Sequence, residues 1–310
     1  MDNDALIQEI NRSYPLEILH IEFHREMIGR VYFLRSRHHK YVLKMYRSSK
    51  KDDVLQTIRI LDFLHTNSYP VATIVRKNDN SSYFSLSCQE NWNIAIIYDY
   101  EEGTMPDGKI EAEHIGQQIG ELHQVMKRYP HKLINRTKNE YINDYITIMG
   151  EMDWDSEKIQ ELKLYGDELW KRISKLPTSF CHGDLHTGNM IRNQSGEYVL
   201  LDWDDASGDY PSMDVAYMSD DTHFNEFHPS MYDRTMRLFE RFYSGYSRTC
   251  SLSGNECNAI FDFIAVRHFQ IISRIVRSQG LSSISIAFCE EQYNWLTKWQ
   301  KLCLRGAANR

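Results

Sequence analysis

No apolar run in this 310-residue chain approaches the ~18 residues needed to span a bilayer. The acidic start, Met-Asp-Asn-Asp, lacks the basic flank and apolar centre of a secretory leader. Six cysteines, at 88, 181, 250, 257, 289 and 303, form no C-x-x-C pair and show no metal-ligand spacing. That argues against a disulfide framework and for reduced thiols. A basic excess is missing too: 36 Lys and Arg stand against 43 Asp and Glu, which argues against a general nucleic-acid binder. The chain has no G-x-G-x-x-G phosphate loop, no internal repeat and no low-complexity tail. The expectation is a cytoplasmic protein with no nucleic-acid and no membrane partner, a monomer or homodimer.

What is present is an ordinary globular composition, 42% hydrophobic and 25% charged, in a chain long enough for two parts with their own cores. The first hundred residues read as β-rich with one helix. Val31 to Leu34 and Tyr41 to Tyr46 are short aromatic and β-branched runs around a polar turn, the pattern of a hairpin. Asp53 to His65 carries Val54, Leu55, Ile58, Leu61 and Leu64 at helical spacing, stopped by Asn67-Ser68-Tyr69-Pro70. Further strands are predicted around 83–88 and 93–98. Gly103, Pro106 and Gly108 punctuate a connector, after which helices are predicted near 110–128, 139–150, 156–175, 231–247 and 255–302. The fold class is therefore expected to be α+β and bilobal, a β-rich lobe over 1–100 and a larger, mainly helical lobe over 101–310.

The chemistry concentrates at 182–204. His-Gly-Asp-Leu-His-Thr-Gly-Asn occupies 182–189, and the apolar run Tyr198 to Leu201 leads into Asp202-Trp203-Asp204. Phosphoryl transfer needs a base to orient a hydroxyl and oxygen ligands to hold a metal on the triphosphate. Asp184 is the candidate base, although an isolated Asp would more simply be a turn residue or helix N-cap. Asn189 and Asp202 offer a neutral and a charged oxygen of the kind Mg²⁺ takes. Asp204, two residues from Asp202, would share its side if the strand continued, as a supporting or substrate contact, or would belong to a solvated loop. Lys44 stands in an apolar strand, where a cation either reaches solvent or meets an anion such as a phosphate. His182 and His186 bracket Asp184, but no third-ligand motif accompanies them for zinc; His182 suits a brace for the loop through backbone hydrogen bonds, and His186 stays open.

The segments Cys-His-Gly-Asp-Leu-His-Thr-Gly-Asn-Met, Val-Leu-Leu-Asp-Trp-Asp-Asp-Ala and Tyr-Pro-Ser-Met-Asp-Val-Ala resemble the aminoglycoside phosphotransferase and choline kinase-like family, which is similar in fold to protein kinases. The offsets of 5 and 18 residues from Asp184 to Asn189 and Asp202 match kinase spacing. The likeness runs from about residue 25 to 218. It implies that Asp184 is the catalytic residue and that Asn189 and Asp202 hold Mg²⁺. Lys44 would anchor the phosphates of ATP, and Asp214 would be a structural carboxylate under the catalytic loop. Ile94 to Tyr100 resembles the last small-lobe strand and the hinge, whose backbone would hydrogen-bond adenine, with Tyr98 and Tyr100 as cofactor-binding residues. Two departures stand out. The helix glutamate that pairs with the lysine falls near Thr57 here, with Gln56 or Asp53 as substitutes. The loop His24 to Arg30 that should cover the nucleotide holds one glycine.

The implied function is ATP- and Mg²⁺-dependent transfer of a phosphoryl group to a hydroxyl of a small molecule: an amino alcohol, amino acid, sugar or aminoglycoside. Asp205, Asp209, Asp220, Asp221 and Glu226, with Tyr210 and Tyr217, would suit an amine-bearing acceptor or form solvated loops. The alternatives are a protein Ser/Thr kinase of the same fold and a catalytically weak nucleotide-binding homologue. Only eleven residues separate Asp202 from Asp214, too few for a regulated activation loop.

Overall fold

The computed structural model describes residues 3–26, 29–85 and 92–308. Two compact units emerge: Met1–Pro106 with Gly188–Asp205, and Asp107–Thr187 with Ala206–Arg310. The segment Gly188–Asp205, which sequence position alone assigns to the second part, thus packs with the first.

The first unit is built on an antiparallel sheet of β1 (His20–Glu26), β2 (Arg30–Arg35), β3 (Lys40–Arg47), β4 (Phe84–Ser85) and β5 (Trp92–Asp99), in the order β1-β2-β3-β5-β4. Pleating sorts the side chains. Leu34, Leu43, Met45, Ala95 and Ile97 join Leu6 and Ile10 of α1 (Asn3–Ser13) in one core. Val31, Phe33, Val42, Lys44 and Tyr98 line a cavity instead. Register sets them side by side, Val31 opposite Lys44 and Phe33 opposite Val42, which pairs with Tyr98. Helix α2 (Lys51–Thr66) follows β3 and buries Val54, Ile58, Leu61 and Leu64.

The expectation of one helix in the first hundred residues misses α1, whose buried side chains are only Leu6 and Ile10 in an otherwise polar segment. Strand β1 escapes a pattern reading because it is an edge strand, exposed along nearly its whole length, with no apolar alternation. Of the strand predicted over 83–88 the structure has Phe84–Ser85; residues 86–88, like Met27 and Ile28 of the predicted covering loop, lie outside the described residues. The returning segment forms a two-stranded pair, β6 (Met190–Arg192) and β7 (Tyr198–Leu200). Bridges from Leu200 to Val71 and from Arg192 to Thr104 tie it into this unit.

The second unit is helical: α3 (Ala112–Met126), α4 (Asp144–Glu151), α5 (Ser156–Ile173), α6 (Pro211–Met218), α7 (Met231–Tyr246), α8 (Gly254–Asn258), α9 (Ile260–Gln279) and α10 (Ile286–Ala308). Caps explain where several begin. Asp155 accepts from the Glu157 and Lys158 amides ahead of α5, and Ser253 and Glu256 form a capping box on α8. The helical stretch predicted over 255–302 is divided into three, α9 stopping at Gly280 with φ 90°. Helices α3 and α7 approach so closely that a Cβ on Gly116 would overlap the Phe242 carbonyl oxygen, and one on Gly245 that of Glu113. Among the described residues no helix is long and apolar enough to cross a membrane.

A ring stack locks the end of this unit: His268 of α9 lies between Phe224, at 4.4 Å, and Trp295 of α10, at 3.5 Å. Burial pulls its imidazole down to about 3, the Gln292 side chain opposing and the Arg267 charge adding to the shift. An unfolded chain protonates near the ordinary ~6.5, so the stability due to this neutral ring is lost as pH falls from there towards about 3. Between about pH 7 and pH 5 the protein should lose about 2 kcal/mol more unfolding free energy than its His268→Phe variant. Denaturant titrations at the two pH values check this; parallel losses would contradict a buried neutral histidine.

Candidate active site

In the first unit the predicted cofactor and metal residues converge on one cavity of about 330 Å³, in the size range of small-ligand sites. Lys44, Tyr98, Tyr100, Asn189, Asp202 and Asp204 all line it. The Lys44 ammonium, 12% exposed, donates to Asp202 Oδ1 at 2.6 Å and stands 2.6 Å from Asp204 Oδ2. Burial alone would lower its pKa; the two carboxylates outweigh that and hold it above the ordinary lysine range. Burial pushes the Asp204 carboxyl up to about 6, with Lys44 pulling the other way. Tyr46 donates to Asp204 Oδ1 at 3.1 Å and meets the Tyr98 hydroxyl at 3.4 Å. Arg25 of β1 lies 3.6 Å from Asp202 Oδ2.

Local backbone makes this convergence possible. The Leu201 amide donates to the Asn189 carbonyl at 2.9 Å, so the two oxygen-bearing residues are tied through neighbouring backbone. Asp202 has φ 57°, a left-handed conformation that Asp tolerates better than most residues. The strand ends there and 203–205 turns as a 3₁₀ helix. Asp202 and Asp204 therefore do not share a side by strand alternation, yet both carboxylates reach Lys44. The missing helix glutamate is also accounted for. Asp53 pairs with Lys50 at 3.1 Å, and Thr57 donates to the Trp203 carbonyl at 3.1 Å. Helix α2 thus holds the 202–204 backbone, while Lys44 takes its carboxylates from that turn.

In the second unit Asp184, His182 and Asp214 form a separate group. Asp214 of α6 is fully buried and accepts from the His182 amide at 2.6 Å and the Gly183 amide at 2.9 Å. Gly183 has φ 82°, which glycine adopts without strain and which presents both amides to one carboxylate. His123 of α3 lies 3.0 Å from Asp214 Oδ2 and 2.8 Å from the Tyr246 hydroxyl. A carboxylate only accepts, so His123 Nε2 carries the proton. Asp184 follows this clamp, 3.7 Å from His186 Nε2 and 3.1 Å from Arg267 Nη2. Burial would raise its carboxyl, but His186 and Arg267 hold it well below the usual carboxylate range.

A family model described as the phosphotransferase enzyme family (APH) matches residues 20–251. The chain belongs to that family. An uncharacterised protein of Synechocystis sp. (strain ATCC 27184 / PCC 6803 / Kazusa), sll1119, is 20% identical over 234 residues, 68% of this chain; the match spans 63% of that relative's length. Among solved structures, amicoumacin kinase hAmiN in complex with AMP-PNP, Ca²⁺ and Ami is similar at TM-score 0.77, with 18% identity over 97% of this chain and 94% of that one. A microcompartment-associated aminopropanol kinase gives 0.75, with 13% identity over 99% and 98%. Choline kinase LicA from Streptococcus pneumoniae gives 0.65, with 15% identity over 98% and 99%. At such identities the likeness shows the fold, the α+β protein kinase-like architecture with a small antiparallel sheet and a mainly helical part.

For this phosphotransferase-family chain the donor set bears on the metal expected. Among the described residues no group of three or more His, Cys, Asp or Glu could hold a metal ion. One amide and one carboxylate on a cavity of about 330 Å³ fit Mg²⁺, which keeps waters and phosphate oxygens as its other ligands. Two of the five acidic residues read as a contact for an amine are committed elsewhere. Asp209 accepts from the Arg136 amide and the Tyr141 hydroxyl, and Asp221 pairs with Lys109 and Arg234. Arg25, Tyr46 and Arg267 escape a sequence reading, though a charge inside Ile264-Ala265-Val266-Arg267-His268-Phe269 is a legible anomaly.

Asp214→Ala would strand two buried amides and an imidazole N–H, at about 1–3 kcal/mol each. A total loss of about 3 kcal/mol or more is expected from urea unfolding, and Asp214→Asn should lose less. A variant within about 1 kcal/mol of the parent would show that the clamp is dispensable.

Proposed function

We propose that the protein transfers the γ-phosphoryl group of ATP, held with Mg²⁺, to a hydroxyl of a small molecule. The carrying observation is Lys44, buried on the wall of the first unit's cavity with carboxylates 2.6 Å away on either hand. A buried ammonium that already needs anions is suited to phosphate oxygens. Family membership supports the same reaction class. The hAmiN structure, with its AMP-PNP and Ca²⁺, gives a nucleotide and divalent cation to a protein of the same fold.

In this reading β-rich unit 1 is the nucleotide-binding part, with Tyr98 and Tyr100 beside the adenine. The amides of Asp99 and Tyr100 are already given to Thr73 and Lys40 carbonyls, so backbone recognition of adenine falls to other groups of that stretch. Lys44 exchanges Asp202 for the phosphates and keeps Asp204, whose second oxygen is fixed by Tyr46. Bound Mg²⁺ would offset charge on the phosphates, with Asn189 and Asp202 as its protein ligands. The acceptor hydroxyl oxygen attacks the γ-phosphorus, the bond to the bridging β-γ oxygen breaks, and ADP leaves with that electron pair. Asp184, ionised and fixed by the Asp214 clamp, orients the hydroxyl and takes its proton. A cytoplasmic setting, where ATP is plentiful, belongs to the same proposal.

A small acceptor is favoured over a protein because the eleven residues after Asp202 are committed. They comprise the 203–205 turn, the Ser207–Cys181 bridge, Asp209 and the start of α6. An ATP-consumption screen over amino alcohols, hydroxy amino acids, sugars and aminoglycosides tests the reading. Asp184→Asn should cut kcat by about 10²–10⁴-fold while leaving Mg-ATP affinity within a few-fold. Undiminished turnover would remove Asp184 as the base. Calorimetry on Asp202→Ala should show Mg-ATP binding weakened by about 10-fold or more, and unchanged affinity would take Asp202 out of the metal site.

A further inference from the structure

An arginine holds the candidate base. Arg267 lies on α9 with its side chain 14% exposed, and its Nη2 donates to Asp184 Oδ1 at 3.1 Å. Its guanidinium carbon stands 4.1 Å from the centre of the Tyr217 ring. The Tyr217 hydroxyl donates to Gln270 Oε1 at 3.2 Å, less than one helical turn further along α9. The ring that packs on the guanidinium is thus itself tied to α9. The other arm, Nη1, is buried and has no hydrogen-bond partner among the described residues.

That arrangement is unusual for an arginine with a merely structural task. A guanidinium carries a rigid fork of donors matched to the two oxygens of a carboxylate or phosphate. Against Asp184 the fork is not used: one arm is taken and the other is withheld. The Arg267 charge also acts on the Asp220 carboxyl, opposing its burial, but that carboxylate accepts from the Thr222 amide at 2.9 Å and has no hydrogen bond to Arg267 among the described residues. A buried, oriented, unpaired donor of a cation calls for an explanation, and an absent anion supplies one. Lys44 and Arg25 line the first unit's cavity, whereas Arg267 belongs to the second unit.

We infer that Arg267 is an oxyanion-binding residue of the reaction centre, its Nη1 arm taking an anionic oxygen group that docks beside Asp184. Two sources carry that chemistry: a carboxylate on the acceptor itself, or the phosphoryl group in transfer. The inference rests on Asp184 being the base. If the carboxylate is the acceptor's, the first class to try shifts from acceptors recognised by an amine alone to hydroxy acids and hydroxy amino acids, which bring an anion of their own.

The test compares the full-length protein with Arg267→Met, which keeps the volume, and Arg267→Lys, which keeps the charge but not the fork. Acceptors are L-serine and D-glycerate, each against its primary amide, with kcat and KM taken separately under saturating Mg-ATP. If the anion is the acceptor's, the parent should prefer each acid by about 10-fold or more in kcat/KM, and Arg267→Met should lose that preference through KM. If it is the phosphoryl group, Arg267→Met should lower kcat by about 30-fold or more on acid and amide alike, with KM within about 3-fold. Partial recovery in Arg267→Lys supports either source. A folded Arg267→Met with both the acid preference and kcat within about 3-fold of the parent overturns the inference. Should no acceptor turn over, the kinase reading suffers but the inference is still decided, by calorimetry with inorganic phosphate. Binding weakened by about 5-fold or more in Arg267→Met supports it, and equal or absent binding overturns it.

Discussion

Burying a carboxylate is expensive unless its oxygens are filled with donors, and Asp214 meets that condition through three elements at once. Helix α6 supplies the acid, α3 supplies His123, and the chain at 182–183 supplies two amides. Each donor needs the acid as much as the acid needs it. The position of Asp184, one residue beyond the clamp, follows from this exchange. So does the identity of residue 183, where a side chain would strain the left-handed turn that aims the second amide.

The first unit solves a parallel problem with a cation. Lys44 is buried because β-sheet alternation turns it away from the α1 core and onto the cavity wall. Once there it needs anions, and Asp202 and Asp204 provide them from a turn that Thr57 of α2 helps to hold. The helix therefore contributes a hydroxyl to backbone, near the position where the family resemblance would put a glutamate for the lysine. Asp204 takes over the anchoring charge, and Tyr46 fixes its orientation. Both units thus place a charged group by surrounding it with partners, and the left-handed Asp202 and the orphaned arm of Arg267 fall among the residues proposed to act.

Much of the fold is legible in the chain because periodicity is a local signal. The hairpin of β2 and β3, α2, α3, α5 and α7 announce themselves by apolar spacing. Helix α1 does not, since two buried side chains over eleven residues carry too little amphipathic signal. Edge strand β1 does not either, because exposure removes alternation. The spacing of Asp184, Asn189 and Asp202 is legible for another reason: the turn proposed to be catalytic and the strand after it are one continuous piece of chain.

The residues around those three are a matter of tertiary structure. Thr57 and Trp203 are 146 positions apart, Lys44 and Asp202 are 158, and Arg267 is 83 from Asp184. No local pattern encodes such pairings, which depend on how strands register and helices cross. The sequence by itself determined the reaction class and the fold class, and it singled out the acid, the amide and the lysine as candidates. Only the folded chain decided which groups neutralise them, because charge satisfaction is settled in space, by whichever donors and acceptors packing delivers.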